Sequence, residues 1–150
     1  MDSSTGIQIE MRNEDHLGII RFSHPEKANA LTLAMLETAY KACLNFEQHP
    51  DIFAIAWTGS ASHFCSGMHL DCFKTNDAAQ KARSILSKLL AYITQCETLH
   101  ISLIHGPAYG GANGLIAACD WAIATPNATF CCPEFKRGIH TQAIAPYLAD

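Results

Sequence analysis

The chain has 150 residues, 49% apolar and only 16% charged, with a net charge of −4. That length fits one domain, the apolar share supplies a core and argues against disorder, and the acidic balance leaves no basic stripe for nucleic acid. No apolar run exceeds six residues, where a membrane span needs roughly 18 to 20, and the start Met1-Asp2-Ser3-Ser4-Thr5-Gly6 lacks the basic and then apolar pattern of an export signal. The expectation is one domain over 1–150, cytoplasmic and not membrane-bound, with residues 1–6 as a disordered tail.

In chain order, Ile7 to Met11 and Leu17 to Phe22 are β-rich runs separated by Asn13-Glu14-Asp15-His16, the pattern of a hairpin. His24-Pro25-Glu26-Lys27 reads as a turn. Thr32 is placed to cap a helix whose apolar residues fall at 33, 36, 40, 43, 44 and 46 and which ends before Pro50. Phe53 to Trp57 and Ile101 to Ile104 read as strands buried on both faces, with His100 and His105 at the ends of the second. A helix from near Asp77 carries Ile85, Leu89, Tyr92, Ile93 and Cys96 on one side. Leu115 to Cys119 predicts a short apolar helix, Trp121 to Ala124 a further strand, and Ala143 to Asp150 the opening turns of a last helix. Strands alternating with helices predict an α/β architecture with crossover connections. The abrupt end predicts a chain truncated at its C-terminus.

Seven cysteines, at 43, 65, 72, 96, 119, 131 and 132, are an odd number scattered through apolar stretches, which reads as reduced thiols. His63, Cys65, His69 and Cys72 lie within ten residues and all have metal-binding side chains, but with no Cys-x-x-Cys among them they read better as buried thiols and loop histidines. Two glycine-bearing loops, Phe64-Cys65-Ser66-Gly67-Met68 and Gly106 to Gly114, each follow a predicted strand. Glycine lets peptide N–H groups point into a cavity, and those at the start of a helix sit at the positive end of its dipole. Such loops either bind negative oxygen or merely permit tight turns. The phosphate-binding patterns G-x-G-x-x-G and G-x-x-x-x-G-K-[ST] are missing, so a developing oxyanion is the better candidate ligand.

His24-Pro-Glu-Lys-Ala-Asn-Ala-Leu31, Phe64-Cys-Ser-Gly-Met-His-Leu70, Gly106-Pro-Ala-Tyr-Gly-Gly-Ala-Asn-Gly-Leu115, Cys119-Asp120 and Ala128-Thr-Phe-Cys-Cys-Pro-Glu134 occur in order and at matching intervals. Together they resemble the crotonase, or enoyl-CoA hydratase/isomerase, superfamily, and from Ala108 to Tyr147 most of all its methylglutaconyl-CoA hydratase branch, of leucine degradation. The resemblance implies a spiral of ββα units, here lacking the C-terminal helical region, and the main-chain N–H groups of Met68 and Gly111 as an oxyanion hole. It implies Glu134 as the single acid and base, because the family's first glutamate falls at Gly114. Burial beside Phe130 and Cys131 is expected to raise the Glu134 pKa, and a Cβ at Gly111 is expected to intrude on the substrate.

The same resemblance gives coenzyme A as part of the substrate, with no separate cofactor and no metal. Lys27, Ala28 and Ala30 lie toward the adenine end and Ser66, Met68 and Gly111 beside the thioester, with His69, Leu70 and Gly110 as further substrate-binding residues. His69 departs from the family's aspartate, and His140 is either a second proton carrier or a surface side chain, the surface reading being preferred. The implied activity is hydration of an enoyl-CoA, with Δ3-Δ2 isomerisation or mere acyl-CoA binding as alternatives. The implied assembly is a trimer or hexamer built through the C-terminal region.

Overall fold

The structure is a computed structural model that describes residues 5–133 and 142–149. β1 (Ile7–Arg12) and β2 (Leu17–Phe22) form the expected antiparallel hairpin, with Ile7 opposite Phe22 and Arg12 opposite Leu17. A single 3-10 turn at Asn13–Asp15 joins them, and His16 closes it in the left-handed region at φ 56°. β3 (Ala54–Gly59), β4 (Leu99–Ile104) and β6 (Trp121–Ala124) then add in parallel, giving the order β1-β2-β3-β4-β6. Parallel neighbours need long crossovers. α1 (Leu33–Glu47), α2 (Asn76–Gln95) and α3 (Gly111–Ala118) lie within these connections.

Thr32 caps α1 as its position implies: its Oγ1 accepts from Met35 N at 3.2 Å. α1 buries Met35, Leu36, Ala39, Ala42, Cys43 and Phe46, and α2 buries Leu86, Leu89, Leu90 and Ile93, in one core with Ile20, Phe22, Ile55, Trp57 and Ile104 of the sheet. Gly18 is open because Phe46 needs the space; a Cβ there would meet its ring at 2.8 Å.

The second face of the sheet is different. Leu103 of β4 stands opposite Ile123 of β6, and Leu103, Trp121 and Ile123 are exposed. The expectation of a β4 strand buried on both faces is therefore corrected: helices cover only the face that carries His100, Ser102 and Ile104. His100 is likewise not a strand-end residue. It is fully buried, and its Nδ1 accepts from Trp57 Nε1 at 2.9 Å.

A smaller parallel layer lies beyond the sheet. β5 (Ala108–Tyr109) pairs with β7 (Phe130–Cys131), and single bridges join Cys65 to Ala108 and Leu31 to Met68. This layer holds both glycine loops and the 24–31 turn side by side. α4 (Ala145–Leu148) packs near α3 at the end of the described chain. The sequence of strand, short strand and helix repeats along the chain, as a spiral of ββα units requires. Residues 1–4 of the expected tail lie outside the described residues, while Gly6 accepts from Ser23 N at 2.8 Å.

Candidate active site

The pairing of the two loops sets the geometry. Cys65 N donates to Pro107 O at 3.2 Å and Tyr109 N donates to Cys65 O at 2.9 Å. From this bridge three steps along one strand reach Met68, and three along the other reach Gly111. Gly67 lets the loops approach so closely: its φ is +94°, and a Cβ would lie 2.8 Å from Tyr109 O. Either constraint alone favours glycine.

On the other side, Leu31 N donates to Gly67 O at 2.7 Å and His69 N donates to Leu31 O at 2.8 Å. In a parallel bridge these two bonds use the groups that flank Met68, so the N–H of Met68 itself turns away from Leu31. Gly111 opens α3, where first-turn N–H groups have no partner within the helix. Among the described residues, neither the Met68 nor the Gly111 N–H meets a backbone acceptor. The two residues are neighbours: a Cβ added to Gly111 would stand 3.6 Å from Met68 Cγ and 3.5 Å from Leu86 Cδ2. Those are ordinary contact distances, so the protein itself leaves room at Gly111, and of these two glycines Gly67 is the tight one. Two unclaimed donors on adjoining loops, one at a helix start, suit an oxygen that gains negative charge.

The 27–31 segment is held against this pair. Ser66 N donates to Ala28 O at 3.0 Å, Ser66 Oγ reaches Lys27 O at 3.4 Å, and Ala30 is buried while Lys27 is exposed. The residue that fixes the turn is Asn29, which sequence reasoning passed over. Fully buried at φ 56°, it accepts on Oδ1 from His24 N at 2.9 Å and donates through Nδ2 to the carbonyls of Ser60 and His63 at 2.9 and 2.8 Å. His69 stays next to Met68, its Nδ1 accepting from Asp71 N at 3.2 Å and its ring 6.1 Å from that of His24. Leu70 projects into solvent.

Asn113 was also missed. Its Nδ2 donates to Cys131 O at 2.8 Å, and the same carbonyl accepts from Gly110 N at 2.9 Å, so the loop at 110 and the strand leading to Pro133 are tied together. Glu134 and His140 lie outside the described residues. Phe130 and Cys131, the expected neighbours of the Glu134 carboxyl, are exposed; the carboxyl itself lies outside the described residues.

The cysteine and histidine cluster does not converge. Cys65 is buried, which pushes its thiol up to about 12, Cys72 Sγ turns to Leu31 O at 3.6 Å, and His63 Nδ1 lies 2.9 Å from Ser62 Oγ. Among the described residues no group of three such side chains is placed to hold a metal ion, and no helix is long and apolar enough to cross a membrane.

Residues 12–148 match the family model described as enoyl-CoA hydratase/isomerase. The chain belongs to that family. Enoyl-CoA hydratase ACTT6 of Alternaria alternata is 32% identical over 129 residues, a match spanning 86% of this chain and 43% of that protein. The peroxisomal Delta(3,5)-Delta(2,4)-dienoyl-CoA isomerase of Arabidopsis thaliana is 32% identical over 157 residues, spanning 93% and 55%. Among solved structures, a Legionella pneumophila protein assigned to the enoyl-CoA hydratase/isomerase (crotonase) group superposes with a TM-score of 0.89 at 26% identity, covering 98% of this chain and 58% of the other. The chain thus spans about half the length of the curated relatives it matches.

Proposed function

We propose that this enoyl-CoA hydratase/isomerase family chain takes an enoyl-CoA thioester and hydrates its double bond. The observation that carries the proposal is the pair of unclaimed N–H groups at Met68 and Gly111. Water adding at C3 drives negative charge onto the thioester oxygen, and losing one fixed donor to such an oxygen typically costs roughly 3 to 4 kcal/mol in the barrier. Glu134 is the proton carrier in this reading. It takes a proton from water as the oxygen bonds to C3 and returns a proton to C2, so that one water is added across the bond. Lys27 lies on the exposed side of the 27–31 segment and suits the phosphates of coenzyme A.

Isomerisation is the second reading, because it needs only one group to carry a proton between C4 and C2, and the space beside Gly114 is closed. Incubation of crotonyl-CoA and of a 3-enoyl-CoA in deuterated water separates the two. A 3-hydroxyacyl product supports hydration; a moved double bond without added oxygen supports isomerisation. Glu134→Gln is expected to lower either turnover at least a hundredfold, and unchanged turnover removes Glu134 from the mechanism. The finer proposal of a branched, carboxylated acyl group such as methylglutaconyl draws on the likeness between Ala108 and Tyr147. A higher kcat/KM for that ester than for crotonyl-CoA is its test. Assembly into trimers or hexamers is proposed with it; the exposed Trp121 and Ile123 of β6 support it, and sedimentation equilibrium tests it.

A further inference from the structure

Gly114 lies one helical turn beyond Gly111 in α3, so a side chain at 114 would rise on the same helix face as the residue that offers the second oxyanion donor. A carboxylate there would be a second proton carrier beside the thioester. The space for it is taken. A Cβ on Gly114 would stand 2.7 Å from Ile144 Cβ, closer still to Ile144 Cγ2, and 3.3 Å from Leu90 Cδ1. Ile144 is 3% exposed and belongs to the apolar core, and Gly114 is buried with it. The slot is therefore closed by packing, and a side chain at 114 has no room to relay a proton from that side.

We propose that Ile144 is the specificity-determining residue of this site: by filling the slot over Gly114 it confines the chemistry to one proton carrier. The inference rests on the acyl-CoA reading above and deepens it. With one carrier, the proton lifted from water, or from the substrate, is the proton that same group has to give back.

The test uses Gly114→Glu, Ile144→Ala, the double variant, and a control double variant carrying Gly114→Gln with Ile144→Ala. Crotonyl-CoA hydration is measured beside thermal melting. Gly114→Glu alone is expected to gain no hydration rate, because the slot is shut. The Glu double variant is expected to hydrate at least tenfold faster than Ile144→Ala alone, a gain missing from the Gln control, which has the shape without the proton. Equal gain from Gly114→Glu alone, or no difference between the Glu and Gln double variants, overturns the proposal.

Melting supplies a readout independent of turnover. Gly114→Ala is expected to lower the melting temperature by roughly 5 °C by overpacking, and Ile144→Ala to relieve most of that loss. Additive shifts in this cycle overturn the role of Ile144 even where turnover is normal. Failure of the native chain to turn over any enoyl-CoA overturns the functional reading instead, and leaves the melting cycle to decide on Ile144.

Discussion

Gly67 and Gly111 sit on the two loops that meet at the proposed oxyanion site, yet they tolerate a methyl group very differently. At Gly67 an added Cβ faces the Tyr109 carbonyl at 2.8 Å on a backbone already at φ +94°, while at Gly111 the nearest atoms it meets are side-chain atoms beyond 3.4 Å. Gly67→Ala is therefore expected to lose about 1 to 3 kcal/mol of stability, and Gly111→Ala less than about 1, as measured by urea unfolding. Equal losses would mean that the loops are not packed as described. The glycines were legible from sequence, since close backbone approach admits little else. Asn29 was not. Its worth lies in carbonyls more than thirty residues away, which no local pattern reveals. Truncating it leaves buried polar groups without partners, so Asn29→Ala is expected to cost about 2 to 3 kcal/mol, and a loss below about 0.5 would show that the 24–31 turn stands without it.

Among the elements, the clearest agreement between sequence and structure is at helix starts. Thr32 accepts from Met35 N as a cap should, and Thr32→Ala is expected to lose about 1 kcal/mol in the same unfolding measurement. α2 was legible from its periodicity, although its buried stripe runs through Leu86 and Leu90 as well as Leu89 and Ile93. β4 was harder. Ile101 to Ile104 reads as uniformly apolar except for Ser102, but the strand's alternation sends His100 and Ser102 to the helix-covered face and Leu103 to the open one. Two polar residues on the inward face are acceptable only because each finds a partner: Trp57 Nε1 for His100, and Cys119 Sγ, 3.1 Å from Ser102 Oγ. Such pairing is tertiary and leaves no trace in a run of four residues.

For the molecule as a whole, His100 ties stability to pH. Burial pulls its pKa down from 6.5 to about 4, against the smaller opposing pull of Asp120. Its Nδ1 already accepts a hydrogen bond, and its buried Nε2 has no partner among the described residues, so a second proton would turn Nδ1 into a donor facing the donor of Trp57. The unfolded chain takes up that proton below about 6.5 and the folded chain does not. Stability is therefore full above pH 6.5 and falls as the pH drops toward 4, by on the order of 3 kcal/mol. Urea unfolding from pH 7.5 to 4 checks this, and His100→Gln is expected to flatten the curve. A slope unchanged in that variant would assign the acid sensitivity elsewhere.

The ββα spiral was legible because five motifs keep their order and spacing along the chain; the exposed face at β6 was not, because strand patterning cannot show which face lacks a covering layer. The proposed reaction depends on two main-chain donors that no side-chain substitution removes, so they are best tested through the group they are proposed to hold. The direct measurement is the infrared difference spectrum of butyryl-CoA labelled with 13C at the thioester carbonyl, bound to the protein and free. On the proposed reading two hydrogen bonds polarise that carbonyl, and the expected result is a narrowed band moved to lower frequency on binding, with the shift reduced in Gly67→Ala. A bound ester whose carbonyl band stays at its solution frequency would contradict the oxyanion site at Met68 and Gly111.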